Sequence, residues 1–544
     1  MVKRRYLQVL LSGLVCVGLA SSLGEGRARA EVTLFDNLGT LHHEITTTSE
    51  LAQKYFDQGL RLVYAFNHEE AIAAFTEASR LDPEAPMPYW GVALSLGPNI
   101  NAAIDAKAES RAADAIHKAI ARLAQATPRE RAYVEALATR YSGKKSPSRK
   151  GRDDAYAKAM RRLASEFPDD VDAAVLFAES MMVLRPWDYW RADGRPQPGT
   201  EEIVATLEAA MARDPNHPGA CHYYIHAVEA SPDPQRGLAC AQRLPSLMPG
   251  AGHLVHMPAH IFMRVGRYRE ASERNANAAT VDYEYLRHHP LEGNYASGYY
   301  AHNLHFLNAS LVMEGRSAEA SQVARDLLGK ISVDEIVKEP SLEWYAPTLL
   351  LTMARFGQWG ELIRQPPPPR ELRFTTGLWH YVRGLAFAAT ARFGSAEGEL
   401  SNLRKSLKAF TKAKTTEGKL SRTLLKVAER VLVGEMAARR GDHEAGIQAL
   451  REALQLESSL PYSEPPFWFQ PVRHNLGAVL LLAGRPGEAE AVYRDDLRVN
   501  PENGWALHGL VHSLQAQRKD AAHEEARLRA AWAQADVALT GSRF

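Results

Sequence analysis

YFDQGLRLVYAFNHEEAIAAFTEASRLDP, residues 55–83, decides the fold class. Apolar residues recur at three- and four-residue steps on both sides of the turn in FNHEEA, the periodicity of two amphipathic helices. Gly59 and Ala71 are small, so two antiparallel helices can approach closely, and Phe75 fills the gap to the next pair. Pro83 stops the second helix because it has no N–H to give. No stretch of β-branched alternation competes with this pattern elsewhere, so the class is all-α.

The same register returns in VHMPAHIFMRVGRYREASERNANAA with Ala259, Gly266, Ala271 and Ala278, and in HNLHFLNASLVMEGRSAEASQVA around Gly315 and Ala320. It appears again around Gly384 and Ala396, and in VRHNLGAVLLLAGRPGEAEAVYRDDLRVNP with Gly477, Ala489, Tyr493 and Pro501. These spacings resemble the tetratricopeptide repeat, which implies helix pairs stacked into a right-handed superhelical solenoid. Pro/Gly-rich and aromatic stretches interrupt the array at Pro186 to Gly199, Pro366 to Pro369 and Ser459 to Pro471. The expected organisation is an N-terminal block over 31–200, a central histidine-rich block over 201–330, middle helices over 331–458 and a C-terminal block over 459–544. A repeat cannot bury its apolar face alone, so these blocks should share one continuous core.

Upstream, Lys3, Arg4 and Arg5 precede an apolar stretch from Leu7 to Leu19 and an Ala28-Arg29-Ala30 cleavage pattern. This reads as a signal peptide over 1–30, the alternative being an uncleaved anchor, and it places the mature chain in the periplasm or outside the cell. No later segment approaches a membrane span. Lys plus Arg total 65 against 64 for Asp plus Glu, so no polyanion-binding surface is expected and nucleic acid is an unfavoured partner. After the leader only Cys221 and Cys240 remain, too few to be a disulfide framework; they read as small buried residues or as a pair able to oxidise.

Histidines cluster in CHYYIHAVEAS, GHLVHMPAHIF and YYAHNLHFL. On a helix His222, His226 and Glu229 share one face, as do His253, His256 and His260, and His302 pairs with His305. His222 and His256 lie 34 residues apart, as do His226 and His260, so they occupy equivalent places in successive units. An insertion offsets the third unit by 49 and matches His302 to His253 and His305 to His256. The tetratricopeptide resemblance implies that these positions line the concave groove, so seven imidazoles and one carboxylate should converge there.

The sharpest reading of that convergence is a transition-metal site with His222, His226, His253, His256, His260, His302, His305 and Glu229 as ligands or supports. A nitrogen-dominated shell suits copper first, then zinc or iron, over magnesium or calcium. Several histidines on adjacent helices are loosely similar to coupled binuclear copper proteins, and that similarity implies an oxidase-type reaction if the site turns over. The rival is a metal-free scaffold whose groove binds a peptide or an envelope protein. The plainest reading is histidines that pack and hydrogen-bond between helices. Weaker candidates are His42, His43, His68, Glu179, and His474 with Glu464, Trp468 and Arg473 nearby. No P-loop, dinucleotide fingerprint, H-E-x-x-H or G-x-S-x-G motif occurs. HYYIHAVEAS, GHLVHMPAHIFMRVGRY, FNHEEAIAAF and YWGVALSLGPN resemble a group of exported bacterial tetratricopeptide proteins, a resemblance that implies fold and export and carries no activity with it.

Overall fold

A computed structural model describes residues 32–141, 148–288, 295–468 and 470–544. The leader expected over 1–30 lies outside them. Val32 and Thr33, at the end of the small first unit, have no regular structure, and Leu34–Phe544 form one compact unit. Within it the regular structure of the described residues is helical, apart from one isolated bridge, Trp190 to Pro196, in the aromatic loop. No described helix is long and apolar enough to cross a membrane.

Helices come in antiparallel pairs, among them Glu50–Tyr64 with His68–Leu81, Thr416–Arg439 with His443–Glu457, and Val472–Leu482 with Pro486–Val499. The small-residue rule read from the sequence holds in detail. A Cβ on Gly59 would stand 2.6 Å from the Phe75 ring, and one on Gly91 in the next pair 2.5 Å from the same ring. Phe75 is thus clasped between two glycines. Tyr493 repeats the arrangement, with Gly477 and Gly509 against its ring at 2.4 and 2.1 Å. Gly477→Ala should therefore destabilise by about 1–3 kcal/mol through overpacking. Gly398→Ala, in helix Phe393–Ala409 where a Cβ meets open space, should stabilise by about 0.5–1 kcal/mol through helix propensity. Urea unfolding of the two variants checks the opposite signs.

Turns inside the pairs pass through left-handed backbone, which glycine adopts without strain: Gly266, Gly315, Gly357, Gly441 and Gly484 all have positive φ. In the first unit that place belongs to Phe66, at φ 59°.

The array does not leave its central block open. Helix Glu50–Tyr64 packs on Pro218–Val228, and Ala301–Glu314 packs on Gly504–Ala516. Trp505 donates its indole N–H to the Val312 carbonyl at 3.0 Å, Trp532 covers Gly315, and Asp536 accepts from the backbone of Ser317 and Ala318. N- and C-terminal blocks therefore both close on the middle. His222, His226, His253, His256 and His260, expected to line the concave groove, are buried.

Candidate metal centre

His222 and His226 project from helix Pro218–Val228, and Glu229 caps its C-terminus. His253 and His256 lie on Gly252–His256, His260 on Pro258–Arg264, and His302 and His305 on Ala301–Glu314. Pro258 has no N–H, so the segment carrying His253, His256 and His260 is two short helices and not one. Its histidines do not divide at that break: His253 joins His222 and His226, while His256, on the same short helix, joins His260 and His302, and His226, Glu229 and His260 form a third group between them. Within each set one ligand atom per residue lies within 4.8 Å of the others.

His222, His226, His253, His256 and His260 are only 0 to 3 % exposed, and Glu229 is fully buried. Phe66 lies over the first set, its ring 4.5 Å from His222 and 5.3 Å from His253 between centroids. Trp187 meets His226 edge-on at 5.0 Å and Tyr299 lies 4.9 Å from His253. Phe306 supports the second set, 5.0 Å from both His256 and His260. Phe66 and Trp187 are both bulky residues at positive φ, 59° and 62°, a conformation that costs on the order of 1–3 kcal/mol and concentrates at functional sites.

Hydrogen bonds on the far side of the rings assign the tautomers. A carbonyl oxygen only accepts, so His222 donates Nδ1–H to Tyr64 O at 2.6 Å. His256 donates Nδ1–H to Asn275 Oδ1 at 2.6 Å, and the amide is oriented by its own donation to Ala271 O at 2.8 Å. His226 donates Nδ1–H to Glu229 Oε1 at 3.0 Å, and His260 donates to Oε2 of the same carboxylate. Burial pushes Glu229 up, but His260 and His226 outweigh it and leave the carboxyl at about 2. Glu229 is thus an ionised acceptor that braces one histidine of each set from behind, and it stands on the Nδ1 side of both rings.

With Nδ1 protonated, the Nε2 atoms of His222, His226, His256 and His260 carry bare lone pairs. His256 Nε2 lies 2.8 Å from His260 Nε2 and 3.2 Å from His302 Nε2. In the first set His222 Nε2 faces His253 Nε2 at 3.1 Å, and His226 Nε2 finds no hydrogen-bond partner. Lone pairs at these separations repel unless a positive charge lies between them. His253 can supply a proton to His222, because its own Nδ1 is unpartnered. His256 and His260 have no such freedom, since both Nδ1 atoms are committed. Burial pushes His260 down but Glu229 outweighs it, so its pKa ends above the ordinary value. A proton there would link two of the three nitrogens in that set and leave the third. A metal ion could take all three, since two ligands on an ion with bonds of about 2.0–2.1 Å stand roughly 3 Å apart when adjacent. Burial, and after it the neighbouring imidazoles, hold His222, His253, His256 and His302 well below the ordinary histidine pKa, so they present neutral nitrogen.

His305 belongs to neither set. Its ring meets Tyr345 edge-on at 5.2 Å, and burial lowers its pKa to about 4. Glu179 also lies outside them; burial raises it to about 7, with Arg140 pulling the other way. His42 pairs with Asp57 at 2.8 Å. His43 and His217 both hold Asp172, at 2.7 and 3.0 Å, and Tyr64 donates to the same carboxylate. That cluster, with Asp170, also has a metal-like spacing, but its carboxylates already accept from Tyr133, Tyr64 and two imidazoles. His68 stacks on Phe66, 5.8 Å between centroids, with both ring nitrogens unpartnered. His474 is locked between Asp496 at 2.8 Å and Arg355 at 2.8 Å, a structural bridge in the C-terminal block. Glu464 accepts from Tyr462 at 2.6 Å and acts electrostatically on His260, so the loop after Ser459 approaches the second set.

Sequence reasoning missed Asn275, the Tyr64 carbonyl and the aromatic cover. One signal was present for the cover: YAFNHEEA aligned with RVGRYREA puts Phe66 where the later unit has Gly266.

No family model and no curated protein matches the chain. Among solved structures it is similar to human IFIT1 bound as a dimer to m7Gppp-AAAA, at 12 % identity over 91 % of this chain and 92 % of that one, TM-score 0.33. It is also similar to Cut9 of an APC/C Cut9–Hcn1 hetero-tetramer, at 14 % identity over 88 % and 76 %, TM-score 0.31. Yeast Tom70 shows 11 % identity over 89 % and 91 %, TM-score 0.26. TM-scores of this size carry no functional meaning for the chain.

Proposed function

We propose that this chain is an exported helical-repeat protein that holds transition-metal ions, copper before zinc or iron, in two adjoining sets of three histidines. The first set is His222, His226 and His253, the second His256, His260 and His302. The observation that carries the reading is the His256–His260–His302 convergence, where the Nδ1 atoms of His256 and His260 are both committed and their Nε2 atoms stand 2.8 Å apart. Glu229 joins the sets as a shared brace, and Tyr64 O and Asn275 orient one ring in each; partners of this kind fix ligand orientation and raise basicity. An all-nitrogen shell favours copper, zinc or iron over oxygen-seeking cations.

Bound copper would supply one-electron redox chemistry and a place for dioxygen, so an oxidase-type activity is the reading in keeping with two three-imidazole sets. Zinc or iron would instead support hydrolysis or oxygenation. The chain's own part is to exclude water with Phe66, Trp187 and Tyr299, to hold five of the six imidazoles below the ordinary histidine pKa, and to commit the Nδ1 atoms of His222, His226, His256 and His260 to acceptors behind the rings. A peptide laid along these imidazoles is disfavoured as the alternative, because the rings lie under other side chains and not on an open surface.

Metal content of single variants tests the division into two sets. The histidine sets should hold two equivalents of copper in wild type and in His305→Ala, and about one in His222→Ala and in His256→Ala. Uptake unaffected by either of the last two substitutions would defeat the reading.

A further inference from the structure

On another side of helix Pro218–Val228 three sulfur atoms meet. Cys240 Sγ, from helix Leu238–Leu247, lies 3.1 Å from Met211 Sδ of helix Thr200–Arg213. Cys221 Sγ lies 3.9 Å from the same thioether. Both cysteines are free and buried, whereas Met211 reaches partly to solvent. Arg243 stands close enough to act electrostatically on both thiols, and Asp214 on Cys221. Each sulfur comes from a different helix of consecutive repeat units, so the fold itself assembles the cluster.

We propose that Met211, Cys221 and Cys240 form a site for one soft monovalent ion, Cu(I), separate from the histidine sets. Thiolate and thioether donors select Cu(I) over harder ions. Three sulfurs sharing one ion at bonds of about 2.3 Å stand roughly 4 Å apart. The Cys221–Met211 separation already has that value, and Cys240 needs only a small outward shift. Binding replaces the two S–H bonds with two metal–sulfur bonds and releases two protons, with no change of oxidation state. The product carries one net negative charge, which the Arg243 guanidinium offsets. Helix Leu238–Leu247 contains Pro245, whose missing N–H leaves the ladder around Cys240 able to give.

The rival occupant of the same pair is a disulfide. Reduced, metal-free protein titrated anaerobically with Cu(I) against bathocuproine disulfonate separates the two. Wild type should take one equivalent more than Cys221→Ser or Cys240→Ser, and Met211→Leu, which keeps the volume, should bind that equivalent at least 10-fold more weakly. The extra equivalent should persist in a His222→Ala/His256→Ala background, so failure of the histidine sets leaves this result readable. Equal uptake by wild type and Cys240→Ser overturns the proposal. So does a Cys221–Cys240 disulfide in isolated protein that takes up no additional Cu(I) after reduction. Unfolding curves of Met211→Leu guard against mistaking misfolding for loss of a ligand.

Discussion

Glu229→Ala should lower the stability of the metal-free protein by about 2–4 kcal/mol and weaken metal binding by roughly 10- to 100-fold. The carboxylate is fully buried and accepts from His226 and His260 together. Removing it leaves two buried N–H groups without an acceptor, at about 1–3 kcal/mol each, while relief of the buried charge offsets part of that loss. The effect on binding arises differently. Without an acceptor at Nδ1 each ring is free to move its proton to Nε2, which removes the lone pair from the ligand side. Because Glu229 serves both sets, the substitution should weaken both equivalents, whereas Asn275→Ala should weaken only the set containing His256. Denaturant unfolding with metal chelated, followed by competitive metal titration, measures the two losses separately.

Metal should also raise the unfolding midpoint more than any single substitution in the repeat core lowers it. An ion that binds the folded state alone stabilises it by about 4 kcal/mol when free metal stands 1,000-fold above its dissociation constant. Two ions would act together, and the one in the second set would also relieve the crowding of Nε2 atoms around His256. Calorimetry of the protein with copper present and after chelation should show the larger shift for wild type, a smaller one for His256→Ala, and no reduction for His305→Ala. An unchanged midpoint in wild type would mean that these imidazoles fold without a cation.

The repeat and the gathering of histidines were legible because both are local and periodic. Gly59 with Phe75, and Gly477 with Tyr493, announce close helix approach through residue size alone. The 34-residue step aligns His222 with His256 and His226 with His260. Burial was not legible, because what covers the rings comes from far along the chain: Phe66 and Tyr64 from the first unit, Trp187 from an irregular loop, and Glu464 from the C-terminal block. The pairing into sets also escaped, since spacing alone reads His253, His256 and His260 as one helical face, while the sets depend on which neighbouring helix each ring meets. His305 satisfied the register yet stands against Tyr345, while His302 on the same helix joins the second set. Glu229 was legible as a neighbour of His226 but not as a brace for His260, which depends on contact between successive units.

X-ray absorption at the metal edge of protein purified without an affinity tag and reconstituted with copper addresses the central claim most directly, read together with elemental analysis. The histidine sets predict two equivalents in a nitrogen shell with the multiple-scattering signature of about three imidazoles per ion, retained in a Cys221→Ser/Cys240→Ser background. No stoichiometric metal after reconstitution with copper, zinc and iron would contradict it, and so would a shell made of sulfur or oxygen alone.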